Sequence, residues 1–409
     1  MGPDFDIIVI GGSANGSQAA HTSAKRGARV AVIEEHPTTG LPEHCSGLFS
    51  YWGLEKIDSY PPDNIVFNYD IYGSRIISPN GKTLTVKKNY KHALVCDRAA
   101  YDRFLLERSV KVGVTLFQPF RATHVKRVNG SIYVTASNSN HDQLELTCSL
   151  LISAEGVRGT MVSQLGLAAP PVTKTVNAAQ FYMNDLSGVD HELVEVYQSQ
   201  KYAKEFFAWL IPMSSTSAKI GLGTSRKAAS KQLAKMISEH PVLKEHCKNA
   251  DITRKTGGRI PTTGPVKQTY GDNLLLVGDV AGQTKPTTGG GVILGGIAAQ
   301  IAGNVAADAV TENRFDANYL KRYEKLWKKE MHNNLRLMRL VRLYMDKLTD
   351  NEMNSFFASL ASRGILEDIQ THGHVDNQGK LVLKFMRFWR LYPFYLRTSG
   401  RLLSSLIRM

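Results

Sequence analysis

The sequence predicts an α/β protein: a parallel-sheet nucleotide-binding unit, interrupted by an antiparallel sheet and followed by long helices. Three observations carry that expectation. The apolar run DIIVI, Asp6 to Ile10, leads straight into a glycine turn; β-rich segments fill the middle of the chain; a second glycine cluster, GDVAGQTKPTTGGG, begins at Gly278. Short continuous apolar runs mark strands buried on both faces, as in parallel sheets.

At 409 residues, 43% hydrophobic and 21% charged, the chain is long enough for two or three folded units and has no disordered-tail composition. A net charge of +14 implies an acidic partner, whether nucleic acid, anionic lipid or a phosphorylated substrate. No recognised nucleic-acid module accompanies it, so nucleic acid is not expected. Cys45, Cys96, Cys148 and Cys247 are scattered without a zinc spacing, which suggests a reducing cytoplasm and no metal. The acidic start MGPDFD is unlike an export signal.

After the first strand, GGSANG (Gly11 to Gly16) opens a helix that ends at Gly27, and RVAVIEE (Arg29 to Glu35) supplies the next strand. Such a βαβ unit turns backbone N–H groups and a helix N-terminus toward a pyrophosphate. Gly11, Ser13, Ala14, Asn15 and Gly16 are therefore candidate cofactor contacts, with Ser13 standing where the usual fingerprint has glycine. Glu34, at the strand end, is placed to bond a ribose hydroxyl, leaving Glu35 solvated. Ile65 to Val86, with Asn80-Gly81 as its turn, reads as an antiparallel hairpin. Asp97 to Gly113 returns to helix, and LISAEGVRG to strand and turn; Val176 to Gly223 is again β-rich, and NLLLVGD, Asn273 to Asp279, is a buried strand.

Pro286 to Ala307 lacks any charged residue, but its glycine and alanine content suits a buried helix better than a membrane span. Beyond Val310 come long basic helices, with Leu337, Val341, Tyr344, Met345 and Leu348 at helical spacing as the expected core stripe. Further on, Phe385, Phe388, Trp389 and Tyr392 alternate with Lys384, Arg387 and Arg390. That pattern fits either an interfacial helix on a membrane or a helix packed on its own domain.

The second glycine cluster answers the length of an extended dinucleotide such as FAD. Asp279 is an acid for a sugar hydroxyl, and Gly290, Gly291 and Val292 begin a helix whose N–H groups face the ligand. Both clusters then grip one flavin cofactor.

Together GGSANG, Glu34, CDRAAYD, AEG and the second cluster resemble the FAD-dependent superfamily with the p-hydroxybenzoate hydroxylase type of fold. Within it the chain resembles the geranylgeranyl reductase family. Pro42, Cys45, Ser46 and Gly47 match its P-x-x-C-[AS]-G motif; Phe207, Trp209 and Pro212 match [YF]-x-W-x-F-P, with Ile211 departing; Gly282 stands where aromatic hydroxylases have histidine. Glu155 departs from the usual Asp of the A-D-G motif.

The resemblance implies a discontinuous Rossmann-like FAD-binding domain (residues 1–60, 93–165 and 258–310), an inserted antiparallel-sheet substrate domain (61–92 and 166–257) and a C-terminal helical region (311–409). It also implies that Arg98 and the main chain near Ala122 contact FAD, that Cys45, Ser46 and Gly47 lie near the flavin ring, and that Phe207, Trp209 and Pro212 wall a lipid-chain pocket. Read without the family, Arg98 is a solvated charge or ion-pair partner, Cys45 a small core residue, and Trp209 and Pro212 strand core.

The implied activity is saturation of geranylgeranyl C=C bonds in archaeal-type membrane lipids or their precursors, with Cys45 as the best local candidate to influence proton delivery. The external reductant is open between NAD(P)H and a ferredoxin-type donor. The expected location is cytoplasmic, either free or peripheral on the inner face of the membrane through the basic C-terminal helices. Two other readings compete: an oxygen-using aromatic or polyketide monooxygenase, against which Gly282 and the Cys45 motif argue, and a non-enzymatic prenyl-lipid carrier, against which the second glycine cluster argues.

Overall fold

A computed structural model describes residues 2–171, 175–360 and 398. The first strand, β1 (Phe5–Ile10), lies between β2 (Val30–Ile33) and β11 (Gln143–Ser153), parallel to both; β8 (Thr115–Phe117) extends the sheet beyond β2, and β18 (Leu274–Leu276) beyond β11. Ile7 and Val9 face one side and Ile8 and Ile10 the other, in two separate buried clusters. A strand buried on both faces is the physical reason for the unbroken apolar run. On one side pack the helices α1 (Ala14–Lys25), α3 (Arg98–Lys111), α7 (Val292–Glu312) and α8 (Ala317–Met345). On the other lie β10 (Ser131–Ser137), which pairs onto the first half of β11, and β9 (Arg121–Val128), which pairs with β10.

A second sheet runs β16 (Asp251–Pro261), β12 (Thr175–Asn184), β15 (Ala218–Thr224), β14 (Ala208–Pro212), β13 (Leu193–Tyr197), β5 (Gly73–Ile77), β6 (Thr83–Lys87). All neighbours are antiparallel except β13 and β5. One face packs Phe181, Leu210 and Ile220 against Leu233 and Met236 of α5 (Ala229–Glu239). Side-chain alternation therefore turns Gln180, Gly221 and Trp209 to the opposite face. Residues 258–261, expected with the nucleotide-binding unit, are the end of β16 and so belong to this sheet.

The expected hairpin from Ile65 to Val86 divides. Its second half, β5 and β6 with Gly81 in the turn, is the hairpin, whereas β4 (Val66–Ile71) joins β7 (Ala93–Cys96) and β3 (Leu48–Ser50) in a separate three-stranded sheet. Two register shifts along β4 explain why its alternation did not mark the break.

The helix α7, uncharged up to Ala307, is 21 residues long with a mean hydropathy of 1.4, enough to cross a membrane by length and composition, yet 78% of its most apolar window is buried in the protein. In α8 the buried stripe is Tyr319, Tyr323, Trp327, Met331, Leu335 and Met338, one side chain per turn. The expected stripe lies further along, and of its members only Tyr344 and Leu348 are buried; Val341 and Met345 are half-buried and line a cavity, which Tyr344 also borders. The aromatic and basic pattern from Lys384 to Tyr392 lies outside the described residues.

α1 and α7 meet where a Cβ on Gly303 would stand 2.7 Å from Thr22 Cβ and 2.8 Å from the Ala19 carbonyl oxygen. Valine there gains little helix propensity over glycine, while overpacking costs about 1–3 kcal/mol. Gly303→Val is therefore expected to lower stability in urea unfolding; an unchanged midpoint would mean that the two helices have room to separate.

Candidate functional site

A single cavity of about 1590 Å³ runs from the turn after β1, past the loop before β3 and the N-terminus of α7, to the exposed face of the second sheet and the inner sides of α8 and α9 (Asp350–Leu360). At its first end the backbone is forced close. Gly11 has φ +101°, and a Cβ on Gly16 would lie 1.8 Å from the Gly11 carbonyl oxygen, so the helix can pack on the turn only with glycine there. Ser13 has an ordinary φ of −73° and does not cap α1 with its side chain. The serine departure thus needs no special backbone, and its side chain does not occupy the helix N-terminus.

Glu34 is buried at the end of β2. One carboxylate oxygen accepts the Gly12 N–H at 2.7 Å and the other accepts the His36 N–H at 2.9 Å, so its position is fixed before any ligand arrives. Glu35 is the more exposed neighbour, beside Arg121 at 3.4 Å. Arg98 begins α3, which is capped by Asp97 on the Ala100 N–H. Its Nε donates to Asp102 at 2.9 Å, and the same carboxylate oxygen accepts the Ala14 N–H of α1 at 3.1 Å. Burial disfavours the Arg98 charge, but Asp102 and the Cys45 thiol beside it outweigh that and hold its pKa well above the usual value. Arg98 is thus an ion-pair partner that also lines the cavity.

On the far side, Asp279 sits in the turn Gly278–Ala281, where burial raises its pKa and the Thr284 hydroxyl donates to it at 2.7 Å. A Cβ on Gly291 would stand 3.0 Å from that carboxylate, and one on Gly282, φ +67°, would stand 2.2 Å from the Gly264 carbonyl oxygen. Gly282 is therefore a packing requirement of the turn. The loop is held from α8 by buried Arg342, which donates to the carbonyls of Pro286 (3.2 Å), Thr287 (2.5 Å) and Glu205 (3.1 Å). Sequence reasoning missed Arg342, although an arginine four residues beyond Met338 in the buried stripe was a readable signal.

Across the second sheet the cavity face grades from polar to apolar along one row: Thr256, Gln180, Gly221, Trp209, Val196, Ile76, Leu84. The Trp209 indole lies on Gly221, where a Cβ would come within 2.4 Å of the ring, and its N–H donates to Gln180 at 3.1 Å. Phe207 is at the same wall, edge-on to Trp209 with ring centroids 5.9 Å apart. Cys45, Ser46, Ala122, Gly290 and Val292 also border the cavity. Pro212 and Gly47 do not: the Pro212 carbonyl accepts from Asn68 at 3.2 Å, and Gly47, φ +72°, is tucked against the Cys96 carbonyl.

Two helix N-termini facing one long cavity, neither capped by the side chain of its own N-cap residue, together with a pre-oriented carboxylate at the end of β2, fit an extended dinucleotide. This architecture defines the class as an FAD-dependent flavoprotein of the p-hydroxybenzoate hydroxylase fold. The family described as tryptophan halogenase matches residues 59–395. A digeranylgeranylglycerophospholipid reductase from Methanococcus vannielii is 30% identical over 94% of this chain and 95% of its own length. The solved structure of a geranylgeranyl bacteriochlorophyll reductase-like protein from Thermoplasma acidophilum superposes with a TM-score of 0.84 at 21% identity, covering 98% of this chain and 99% of that one. A variant of the halogenase PltM, solved in complex with FAD, superposes less closely, with a TM-score of 0.67 at 16% identity over 97% of this chain and 91% of that one. The chain belongs to the digeranylgeranylglycerophospholipid reductase family.

With Glu34 anchored, Glu34→Ala removes a charged acceptor and also frees the Gly12 N–H. FAD affinity, read by fluorescence titration of the apoprotein, should fall by about 1.5–3 kcal/mol; an unchanged affinity would put the ribose contact elsewhere.

Proposed function

We propose that the protein saturates C=C bonds in the geranylgeranyl chains of archaeal-type membrane lipids or their precursors. The observation that carries this reading is the continuity of one cavity from Glu34 and Arg98, past Cys45, onto the apolar row ending at Ile76 and Leu84. The named relatives supply the substrate class.

In this reading α1, Glu34 and Arg98 hold the adenosine and pyrophosphate end of FAD, with Ala122 at the adenine, and Asp279, Gly290, Gly291 and Val292 hold its ribityl end. Bound there in its reduced form, FAD would supply the hydride for one alkene carbon. An isolated alkene accepts hydride poorly, so the protein must keep the site dry and bring a proton to the other carbon. Phe207, Trp209, Val196 and Ile76 exclude water and align the chain, and α8 and α9 close the apolar end with Leu340, Met345, Phe356 and Phe357. Apolar contact of this kind contributes about 25 cal/mol per Å² of buried chain surface, so a long isoprenoid is selected by length. Cys45, beside the Arg98 guanidinium, is the group placed to influence the proton step. Electrons reach the flavin from NAD(P)H or a ferredoxin-type donor.

Dithionite-reduced enzyme incubated anaerobically with a geranylgeranyl phospholipid should yield products heavier by pairs of hydrogens. A gain of oxygen in air, with no hydrogen gain anaerobically, would favour the monooxygenase reading instead. Cys45→Ser keeps the approximate size of the side chain but lacks the thiol's acidity and polarizability. It should retain flavin and slow saturation or alter how far it proceeds; a wild-type rate and extent would reduce Cys45 to packing.

A further inference from the structure

Beneath the Cys45 loop lies a group of charges that the proposed chemistry does not use. Lys219, the second residue of β15, is fully buried, and so is the Glu43 side chain. The Lys219 ammonium donates to the Ser46 carbonyl at 2.7 Å and to the Cys96 carbonyl at 2.9 Å, and lies 3.5 Å from Glu43. Tyr182 donates its hydroxyl to Glu43, and Arg254 donates to the other Glu43 oxygen at 2.6 Å. The rings of Phe67 and Tyr182 flank the ammonium, with centroids 5.2 and 5.0 Å away. Burial pulls the Lys219 pKa down, while Glu43 is the main influence holding the charge.

The two carbonyls that Lys219 grips belong to two segments. Ser46 follows Cys45 in the loop, and Cys96 ends β7, two residues before Arg98. Gly47 lies between these points; the Cys96 N–H donates to the Gly47 carbonyl at 2.9 Å, and a Cβ on Gly47 would reach 3.2 Å from the Lys219 ammonium. The loop also rests on the second sheet through His44, whose Nδ1 meets the Gly257 carbonyl of β16 at 2.5 Å. Cys45 and Arg98 thus face each other across a junction whose two sides are joined by one cation reaching in from the opposite sheet.

We propose that Lys219 is a positioning residue for Cys45: it sets the thiol against Arg98 by tying the carbonyls of Ser46 and Cys96 together, with Glu43 on the same loop balancing its charge. A buried ion pair is costly to desolvate, and an apolar pair of similar volume is often as stable. Stability alone therefore does not account for the pair; a fixed geometry between a loop and a strand end does. The inference rests on the reading of Cys45 as a group that acts at the cavity, and a hydrogen-exchange measurement separates the two.

Lys219→Met alone would strand the Glu43 charge, so the test uses the neutral double variant Glu43→Gln/Lys219→Met, with normal circular dichroism and flavin content as the criterion of folding. If that variant does not fold, Tyr182→Phe, which removes one bond to Glu43, is measured in its place and should show the same changes in smaller degree. Amide exchange in a peptide covering residues 42–50 should accelerate about 10-fold or more, with residues 5–10 unchanged. In lipid saturation kcat should fall about 10-fold or more with KM nearly unchanged, because a misplaced group costs turnover more than binding. In a Cys45→Ser background the same change should lose most of its effect on kcat, since coupled residues are not additive. Unchanged exchange in 42–50 overturns the clamp, whatever the enzyme reduces. Faster exchange with an effect on kcat that is fully additive to Cys45→Ser overturns the link to Cys45.

Discussion

The site depends on the contact of the two helices whose N-termini border the cavity, for α1 and α7 meet with almost no side chain between them. Gly303 meets the Ala19 carbonyl and Thr22; Gly278 and Gly295 both leave room for Asn15, whose amide would be 2.6 and 2.2 Å from a Cβ at those positions. Gln18 and Gln300, one from each helix, donate to the same carbonyl, that of Ile57. Glycine weakens a helix by roughly 0.5–1 kcal/mol per residue, so α7 with three of them is stabilised by burial rather than by propensity. The rest follows from this contact. α1 fixes the first glycine turn against β1, α7 fixes the second against β18, and the cavity is the space that the two turns must then share.

The parts of the fold that were legible in the sequence are those where local pattern and burial agree. DIIVI and NLLLVGD are short apolar runs because β1 and β18 lie within a sheet covered on both sides, and Gly27, φ +90°, ends α1 where the sequence placed the stop. Glu34 was readable because strand length and the glycine turn fix where the chain emerges. Illegible were features made by elements distant in sequence. Arg342 is a basic residue in a basic helix until α8 brings it onto the carbonyls of Pro286 and Thr287, and Lys219 is one lysine among many until β15 crosses beneath the Cys45 loop. The misplaced stripe of α8 has the same origin. Periodicity reports that side chains avoid water, and it does not distinguish a packed core from the wall of a cavity.

The motif around Trp209 is resolved by the structure into separate duties. Phe207 and Trp209 alternate onto the cavity face, while Pro212 ends β14 away from it and supplies a carbonyl to Asn68 of β4. One motif therefore holds both the wall and a junction between the second sheet and the three-stranded sheet that carries β7. Ile211, which departs from the family's phenylalanine, is buried with Ile71, Val95 and Val194 at that junction, so a smaller side chain there alters a sheet contact as well as a cavity margin.

Charge is distributed in the same economical way. The chain is strongly basic overall, yet three cations at or beneath the cavity wall are each held by named acceptors: Arg98 by Asp102, Lys219 by two carbonyls and Glu43, Arg342 by three carbonyls and Asp346. An unpaired cation at the wall would draw water to itself, because transferring an ion from water into a low-dielectric interior costs several kcal/mol even after relaxation. A cation whose donors are spent on backbone carbonyls does the reverse: it immobilises the loops around the cavity and presents its apolar stem to them. A polar frame around an apolar channel, suited to reducing an unactivated alkene, thus draws on Lys219 and Arg342 turned inward onto main-chain oxygens.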